Sequence, residues 1–312
     1  MNEPAKNTAR YDMLVVTGPT ASGKTSLAAR LAHGLGGDVI SADSRQVYRQ
    51  MDIGTGKDLD DYIVDGIKVP CHLIDIRDPG YRYNVFEYQR DFVKVLTALR
   101  EKNRFPVVCG GSGMYIDSVV SAYRLPEVPP DPDLRKSLED KTMEELTAIL
   151  STYRKLHNIT DIDTRKRVIR AIEIERYLAL HAETIASFPV SNPLVVGVLY
   201  SREMRRERIS ARLKARLAGG MIQEVEKLLD RGVDPDTLIY YGLEYKYITL
   251  YLTGRMEYEA MSRSLEIAIH QFAKRQMTWF RGMERKGVVI HWIDGELPID
   301  AKVDLVMKLL GS

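Results

Sequence analysis

The residues with the clearest chemistry are Gly18-Pro-Thr-Ala-Ser-Gly-Lys24-Thr25. An apolar run, Met13-Leu-Val-Val16, precedes them and reads as a buried strand; Ser26-Leu-Ala-Ala-Arg-Leu-Ala32 follows and reads as a helix. Strand, glycine-rich turn and helix start in that order are the setting in which G-x-x-x-x-G-K-[ST] becomes a phosphate site. Backbone N–H groups of Gly18, Thr20, Ala21, Ser22, Gly23, Lys24, Thr25 and Ser26 can curl around an anion, assisted by the positive end of the helix dipole. Lys24 adds a point charge, and the Thr25 hydroxyl is placed to ligate Mg²⁺. The expected ligand is a di- or triphosphate.

A carboxylate should face this loop. Asp38-Val-Ile-Ser-Ala42 reads as a second strand and delivers Asp43-Ser44-Arg45-Gln46 to its C-terminal end, where ligands gather in parallel α/β sheets. Asp43 is either a catalytic carboxylate or Mg²⁺ ligand, or the N-cap of a short helix through Arg45-Gln-Val-Tyr48. A further strand, Phe105-Pro-Val-Val-Cys109, runs into Gly110-Gly-Ser-Gly-Met-Tyr115. Many P-loop NTPases hold Mg²⁺ with an Asp at such a strand end. Glycines there weaken a plain ATPase reading and suggest close backbone approach by a ligand.

The elements that position these groups follow from periodicity and punctuation. Cys71–Asp75 and Pro193–Tyr200 read as strands, Val288–Ile293 as a closing strand, and Tyr81–Arg100 as an amphipathic helix. Four prolines between Arg124 and Pro132 make a linker. Beyond it, Thr142 and Glu145 form a capping box, and Thr164 or Asp163 can cap a helix with Val168, Ile172 and Leu178 on its core face and Arg165, Lys166, Arg167 and Arg170 opposite. The helix Arg202–Leu217 is strongly basic, as expected of an arginine lid over phosphates or a nucleic-acid face. In Ser264–Arg285, Leu265, Ala268, Ile269, Phe272 and Trp279 fall on a core side, while Lys274, Thr278, Arg281 and Arg285 make a basic stripe. The expected architecture is α/β: a P-loop NTPase-like parallel sheet with helices on both faces, residues 1–118 and 192–312, and an inserted all-helical domain over residues 119–191.

Composition narrows the class. The 312 residues are 45% hydrophobic and 28% charged, ample for a globular core. No apolar run approaches membrane-spanning length, and Met1–Lys6 lacks the apolar core of a signal peptide. Two cysteines, Cys71 and Cys109, cannot build a disulfide framework and read as reduced core thiols of a cytoplasmic protein. The formal net charge of +2 is uninformative, unlike the clustering of arginine on particular helices.

Taken together, several blocks resemble the tRNA dimethylallyltransferases. They are the P-loop, Ser41-Ala-Asp-Ser-Arg-Gln-Val-Tyr48, Met51-Asp-Ile-Gly-Thr-Gly-Lys57, Val69-Pro-Cys-His-Leu-Ile-Asp75, Gly110-Gly-Ser-Gly-Met-Tyr115, Arg170-Ala-Ile-Glu173 and Lys274-Arg-Gln-Met-Thr-Trp-Phe-Arg281, in order along nearly the whole chain. The resemblance implies transfer of a dimethylallyl group from dimethylallyl diphosphate to N6 of the adenosine 3′ of the tRNA anticodon. The P-loop would then hold a diphosphate leaving group, with Lys24, Thr25 and Mg²⁺ neutralising developing charge and Asp43 taking the N6 proton. Flipping an adenosine from a loop needs basic surface around it. The implied tRNA contacts are Asp43, Ser44, Arg45, Gln46, Ser112, Lys166, Arg167, Arg170, Lys274, Gln276 and Arg281. No membrane and no obligate protein partner is implied.

One block departs. Where the family usually has Gly-Tyr-Lys after small residues and often an Arg, this chain has Tyr240-Tyr241-Gly-Leu-Glu244-Tyr245-Lys246. Glu244 replaces the Gly, and Tyr241 stands near the place of the Arg. Rival readings are a small-molecule P-loop kinase with its lid at Arg202–Arg216, an adenylate isopentenyltransferase acting on free nucleotide, and a non-catalytic nucleotide-binding module. The kinase must consume ATP, and the module leaves Asp43 idle.

Overall fold

Every residue of the first strand, β1 (Met13–Thr17), is buried, as a run of apolar and β-branched residues in mid-sheet requires. In the computed structural model, which describes residues 11–123, 125–154, 162–181, 188–189 and 191–311, the chain turns from β1 through the glycine loop into α1 (Lys24–Gly34). Met1–Lys6 and Arg124 of the linker lie outside the described residues. There follow β2 (Asp38–Ser41), a hairpin of β3 (Ile63–Val64) and β4 (Ile67–Lys68), β5 (Cys71–His72), α2 (Val85–Glu101), β6 (Pro106–Gly110) and α3 (Gly113–Val120). Three helices come next, α4 (Pro132–Ser137), α5 (Met143–Tyr153) and α6 (Arg165–Leu180). The chain then forms β7 (Pro193–Leu199), α7 (Arg202–Ala218), α8 (Met221–Asp230), α9 (Pro235–Tyr241), α10 (Leu243–Leu252), α11 (Tyr258–Arg285), β8 (His291–Asp294) and α12 (Ile299–Gly311).

Six strands form one sheet in the order β5-β2-β6-β1-β7-β8, every neighbouring pair parallel. Parallel strands need crossover connections, so both faces must be covered. Leu14, Val16, Val39, Val107 and Val196 share one core cluster with Leu27 and Leu31 of α1 and Val306 of α12. The alternating set, Met13, Val15, Ile40, Val108 and Val195, is buried as well. The sheet's C-terminal edge therefore carries the P-loop after β1, Asp43 after β2 and the glycine turn after β6.

Two strands differ from the sequence expectation. β5 stops after His72 because Leu73 and Asp75 take positive φ, 62° and 55°, which no strand tolerates. β8 begins only at His291, and Val289 before it is 68% exposed.

The chain divides into two compact units, Met1–Ala122 with Pro189–Ser312, and Tyr123–Phe188. The second packs Leu134 and Leu138 of α4, Leu146 and Leu150 of α5, and Val168 and Ile172 of α6. The Thr142–Glu145 capping box is formed. Thr164 is the N-cap of α6 without a side-chain cap bond, while Asp163 pairs with Arg167. The buried Glu173 accepts two hydrogen bonds from Arg135, 2.6 and 2.9 Å, one from Arg170, 2.9 Å, and one from the Asp131 backbone, 3.0 Å. Those partners hold its carboxyl below the ordinary carboxylate value in spite of burial.

Candidate active site

The P-loop owes its shape to crowding as well as to ligand chemistry. Gly18 has φ 148°, and a Cβ there would sit 2.6 Å from the Val198 carbonyl of β7. Ala21 and Gly23 also take positive φ, 62° and 74°, turning the chain into the first turn of α1 at Lys24. Lys24 is half-buried, and desolvation holds its ammonium below the ordinary lysine pKa. An anion beside it would restore the charged form. The Ser22 hydroxyl is buried and has no hydrogen-bond partner among the described residues.

Asp43 follows β2 directly. One carboxylate oxygen accepts the Arg45 backbone N–H at 2.9 Å, and no other hydrogen bond or ion pair of this side chain is found among the described residues. Residues 44–47 form turns, not a helix, so the helix-cap alternative is not what the chain adopts. The second oxygen is left for a ligand. Ser44 donates its backbone N–H to the Ser112 hydroxyl at 2.9 Å, tying the β2 end to the β6 end. Gln46 donates to the Gly56 carbonyl at 3.0 Å and accepts from the Ser41 hydroxyl at 3.1 Å.

The glycine turn after β6 is close-packed by protein where side chains would stand, while Gly110 and Ser112 also line the cavity between these loops. A Cβ on Gly110 would fall 2.2 Å from the Ala42 carbonyl, on Gly111 2.5 Å from the Gln276 amide, and on Gly113 2.5 Å from the Trp279 ring. Gln276 explains part of this. Its oxygen accepts the Thr20 N–H at 2.9 Å and its amide donates to the Gly111 carbonyl at 2.8 Å, so one side chain of α11 clamps both loops. One amide N–H and one oxygen lone pair of Gln276 have no partner among the described residues, and the side chain lines the neighbouring cavity.

The loop Met51–Lys57 is fastened from the other side. Glu224 of α8 accepts the backbone N–H groups of Asp52, Ile53 and Gly54 at 2.8, 2.7 and 3.0 Å, and the Tyr245 hydroxyl at 2.6 Å. Successive N–H groups converging on a carboxylate form an anion nest filled by the protein's own glutamate. Lys57, buried at the end of this loop, donates to the Tyr48 carbonyl at 2.6 Å, to Asp52 at 2.7 Å and to Asp75.

These loops enclose a cavity of about 300 Å³. Thr20, Lys24, Asp43, Gly56 and Ser112 line it together with Arg212 and Arg216 of α7. The two arginines reach Asp58 at 3.1 Å and press on Gly56, where a Cβ would lie 2.3 and 2.5 Å from their guanidinium nitrogens. Desolvation, reinforced by Arg216, lowers the pKa of Arg212 from its ordinary value. One turn earlier, Arg208 donates to the Ala21 carbonyl at 2.9 Å, so α7 closes on the P-loop. Glu244 also lines the cavity, and desolvation raises its carboxyl above the ordinary value. The arrangement can hold a polyanion between Lys24 and the arginines with a carboxylate oxygen beside it.

The remaining sequence-predicted contacts are not among the residues lining this cavity. Lys274 and Arg281 are exposed on α11 and have no ion pair among the described residues. Arg281 adjoins Arg205 closely enough to lower its pKa, after desolvation and Arg202. In the helical unit Lys166 is exposed, Arg167 pairs with Asp163, and Arg170 is held by Glu173 and the Val128 carbonyl, 2.7 Å. Arg170 thus has a structural task that its sequence position did not reveal. The core side assigned to α11 also needs correction. Phe272 is 39% exposed and Trp279 half-buried, and both line an opening with Met114, Tyr115 and Gln276. Arg275, whose guanidinium lies 5.9 Å from the Phe272 ring centroid, faces the same opening and the cavity. Arg212 and Arg216 stand where an arginine lid over phosphates, one of the two readings of the basic helix Arg202–Leu217, would put them, whereas Arg275 and Glu224 carry no such signal in the sequence.

Comparison with known proteins agrees with this geometry. The family model for IPP transferase matches residues 46–283, and that for isopentenyl transferase matches residues 11–68. A tRNA dimethylallyltransferase 2 of Phocaeicola vulgatus is 59% identical over 301 residues, covering 96% of this chain and 98% of the relative. One of Bacteroides fragilis is 58% identical over 300 residues, covering 96% and 98%. Among solved structures, the tRNA isopentenylpyrophosphate transferase of Bacillus halodurans superposes with a TM-score of 0.68 at 30% identity, covering 96% of each chain. This chain belongs to the IPP transferase family, among the tRNA dimethylallyltransferases.

Proposed function

We propose that this enzyme transfers the dimethylallyl group of dimethylallyl diphosphate to N6 of the adenosine 3′ of the anticodon in tRNA, in the cytoplasm. Its relatives' names and the match along the chain support the reaction class. The observation that carries the mechanism is that Asp43, with a carboxylate oxygen to spare, lines one cavity with Lys24, Arg212 and Arg216. N6 attacks C1 of the dimethylallyl group, the C1–O bond breaks, and the electron pair leaves with the diphosphate. Lys24, the P-loop N–H groups other than that of Thr20, which Gln276 accepts, and the two arginines would stabilise that leaving charge. Asp43 would hydrogen-bond the N6 amino group and take its proton as the new C–N bond forms.

Mg²⁺ fits the donor set. Among the described residues no group of three His, Cys, Asp or Glu is gathered for a metal. Mg²⁺ needs none, since it keeps several waters and takes substrate phosphate oxygens beside one or two protein ligands. The Thr25 hydroxyl, in the first turn of α1, would be the protein ligand. Bound there, Mg²⁺ would neutralise part of the diphosphate charge.

The kinase rival places ATP on the same loop and needs a phosphoryl acceptor in place of an adenosine. Asp43→Asn tests the assignment. It keeps size but cannot take the proton, so single-turnover transfer should slow by about 10²–10⁴-fold with tRNA affinity near wild type. An unchanged rate would remove Asp43 from the chemistry.

A further inference from the structure

We propose that Tyr240, with Arg45 and Arg82, is a stacking platform for an unpaired nucleotide next to the target adenosine. The proposal rests on the tRNA reading above and extends it to a residue of the block where this chain departs from the family.

Tyr240 is 48% exposed on α9. A single exposed aromatic is ordinary; its neighbours are not. The Arg45 guanidinium lies 5.6 Å from the Tyr240 ring centroid and that of Arg82 lies 5.3 Å from it. Neither arginine has a carboxylate partner among the described residues. Two unneutralised guanidinium groups gathered on one ring repel each other, and an anion would relieve that repulsion. A nucleotide supplies both halves of the match: a base to stack on the aromatic and guanidinium planes, and a phosphate for their N–H groups.

Location fixes which nucleotide. Arg45 lines the cavity that holds Asp43, two residues earlier in the chain. A base on Tyr240 therefore belongs beside the flipped adenosine, not in a distant stem.

The platform is held in place by its chain neighbour, Tyr241. Tyr241 is fully buried, with its ring 4.3 Å from that of Tyr48. Its hydroxyl donates to the Tyr81 carbonyl at 2.9 Å and accepts the Gly80 N–H. It thereby fastens the loop carrying Arg82 to the helix carrying Tyr240. Tyr241 and Tyr240 are thus a clasp and a platform in adjacent residues. Such prior ordering lowers the cost of binding a flexible loop nucleotide.

The test uses the full chain and an anticodon stem-loop RNA with 2-aminopurine beside the target adenosine, without prenyl donor. Wild type should quench the 2-aminopurine on binding. Tyr240→Ala should raise the Kd by roughly 5- to 100-fold, the range for losing one stacked base, and abolish the quench. Tyr240→Phe should keep both. Arg82→Ala should weaken binding and reduce the salt slope by about one unit. The KM for dimethylallyl diphosphate should stay unchanged in all three.

Wild-type Kd and quench in Tyr240→Ala would overturn the platform; if the unmodified hairpin is still prenylated, the tRNA reading stands without it. Failure of the wild type to bind any anticodon hairpin would remove both. Loss of donor affinity in Tyr240→Ala would also overturn the proposal, by showing that the residue shapes the donor cavity.

Discussion

Glu224→Gln isolates the coupling between a helix remote from the reaction and the loop that walls the cavity. One carboxylate accepts from three consecutive backbone N–H groups and the Tyr245 hydroxyl, all at 3.0 Å or less. Glutamine keeps one acceptor oxygen, which serves the Asp52 and Ile53 N–H groups when its NH₂ lies on the Gly54 and Tyr245 side. The Gly54 N–H then faces an NH₂ and loses its acceptor, the Tyr245 hydroxyl can turn to accept from the amide, and the remaining bonds fall from charge-assisted to neutral strength. Hydrogen bonds to charged groups contribute about 1.5–3 kcal/mol each, against about 0.5–1.5 for neutral ones. The Asp52 N–H lies near the surface, where water replaces part of the loss. The net cost should be about 2–4 kcal/mol, carried by residues 52–57. Since Gly54, Thr55 and Gly56 line the cavity, the cost should appear in donor binding as well as in stability. Urea unfolding should show a lower midpoint, and kcat/KM for dimethylallyl diphosphate should fall by about tenfold or more, tenfold being about 1.4 kcal/mol. A midpoint and a kcat/KM both equal to wild type would refute the view that Glu224 sets the loop.

Two further outcomes follow from the charges. Glu244 has its carboxyl raised above 4.5 by desolvation, so the folded state binds more protons than the unfolded one and stability falls as pH rises from 4.5 through the folded value. Glu244→Gln cannot lose that proton; its urea midpoint relative to wild type should therefore climb as pH rises above 4.5, and a constant offset would contradict this. Lys274 and Arg281 have no ion pair among the described residues, whereas Arg167 and Arg170 have one each. Neutralising the first pair should flatten the salt dependence of tRNA binding by about one unit per lost contact, and the second pair should do so less, with Arg170 showing mainly as lost stability. Equal salt slopes for wild type and the Lys274, Arg281 double variant would exclude that stripe from the interface.

The parts legible in the sequence were those whose geometry is local. The P-loop is written in contiguous residues because a strand, a turn and a helix start fix it, and Asp43 follows because it ends the next strand. The capping box at Thr142 and Glu145 is local in the same way. What was not legible depends on chain segments far apart. The basic character of α7 allows an arginine lid or a nucleic-acid face, and that Arg212 and Arg216 enter this cavity follows only from α7 meeting the P-loop; Glu224 meets its loop 170 residues away. Phe272 and Trp279 show why periodicity misleads here: helical spacing marks a continuous apolar side but cannot tell a core from the wall of an opening. The turn at Gly110–Gly113 carries a second demand invisible in the sequence, since crowding by Ala42, Gln276 and Trp279 requires glycines there whatever ligand approaches. Arg170 sits among basic residues on a helix, and only the fold reveals the buried Glu173 that holds it.

The most direct measurement supplies the enzyme with Mg²⁺, dimethylallyl diphosphate and either tRNA or AMP, in the absence of ATP, and digests the products to nucleosides. N6-dimethylallyladenosine should arise from the tRNA reaction alone, with one diphosphate released per group transferred. Prenylated AMP with unmodified tRNA, or a strict requirement for ATP, would contradict the assignment.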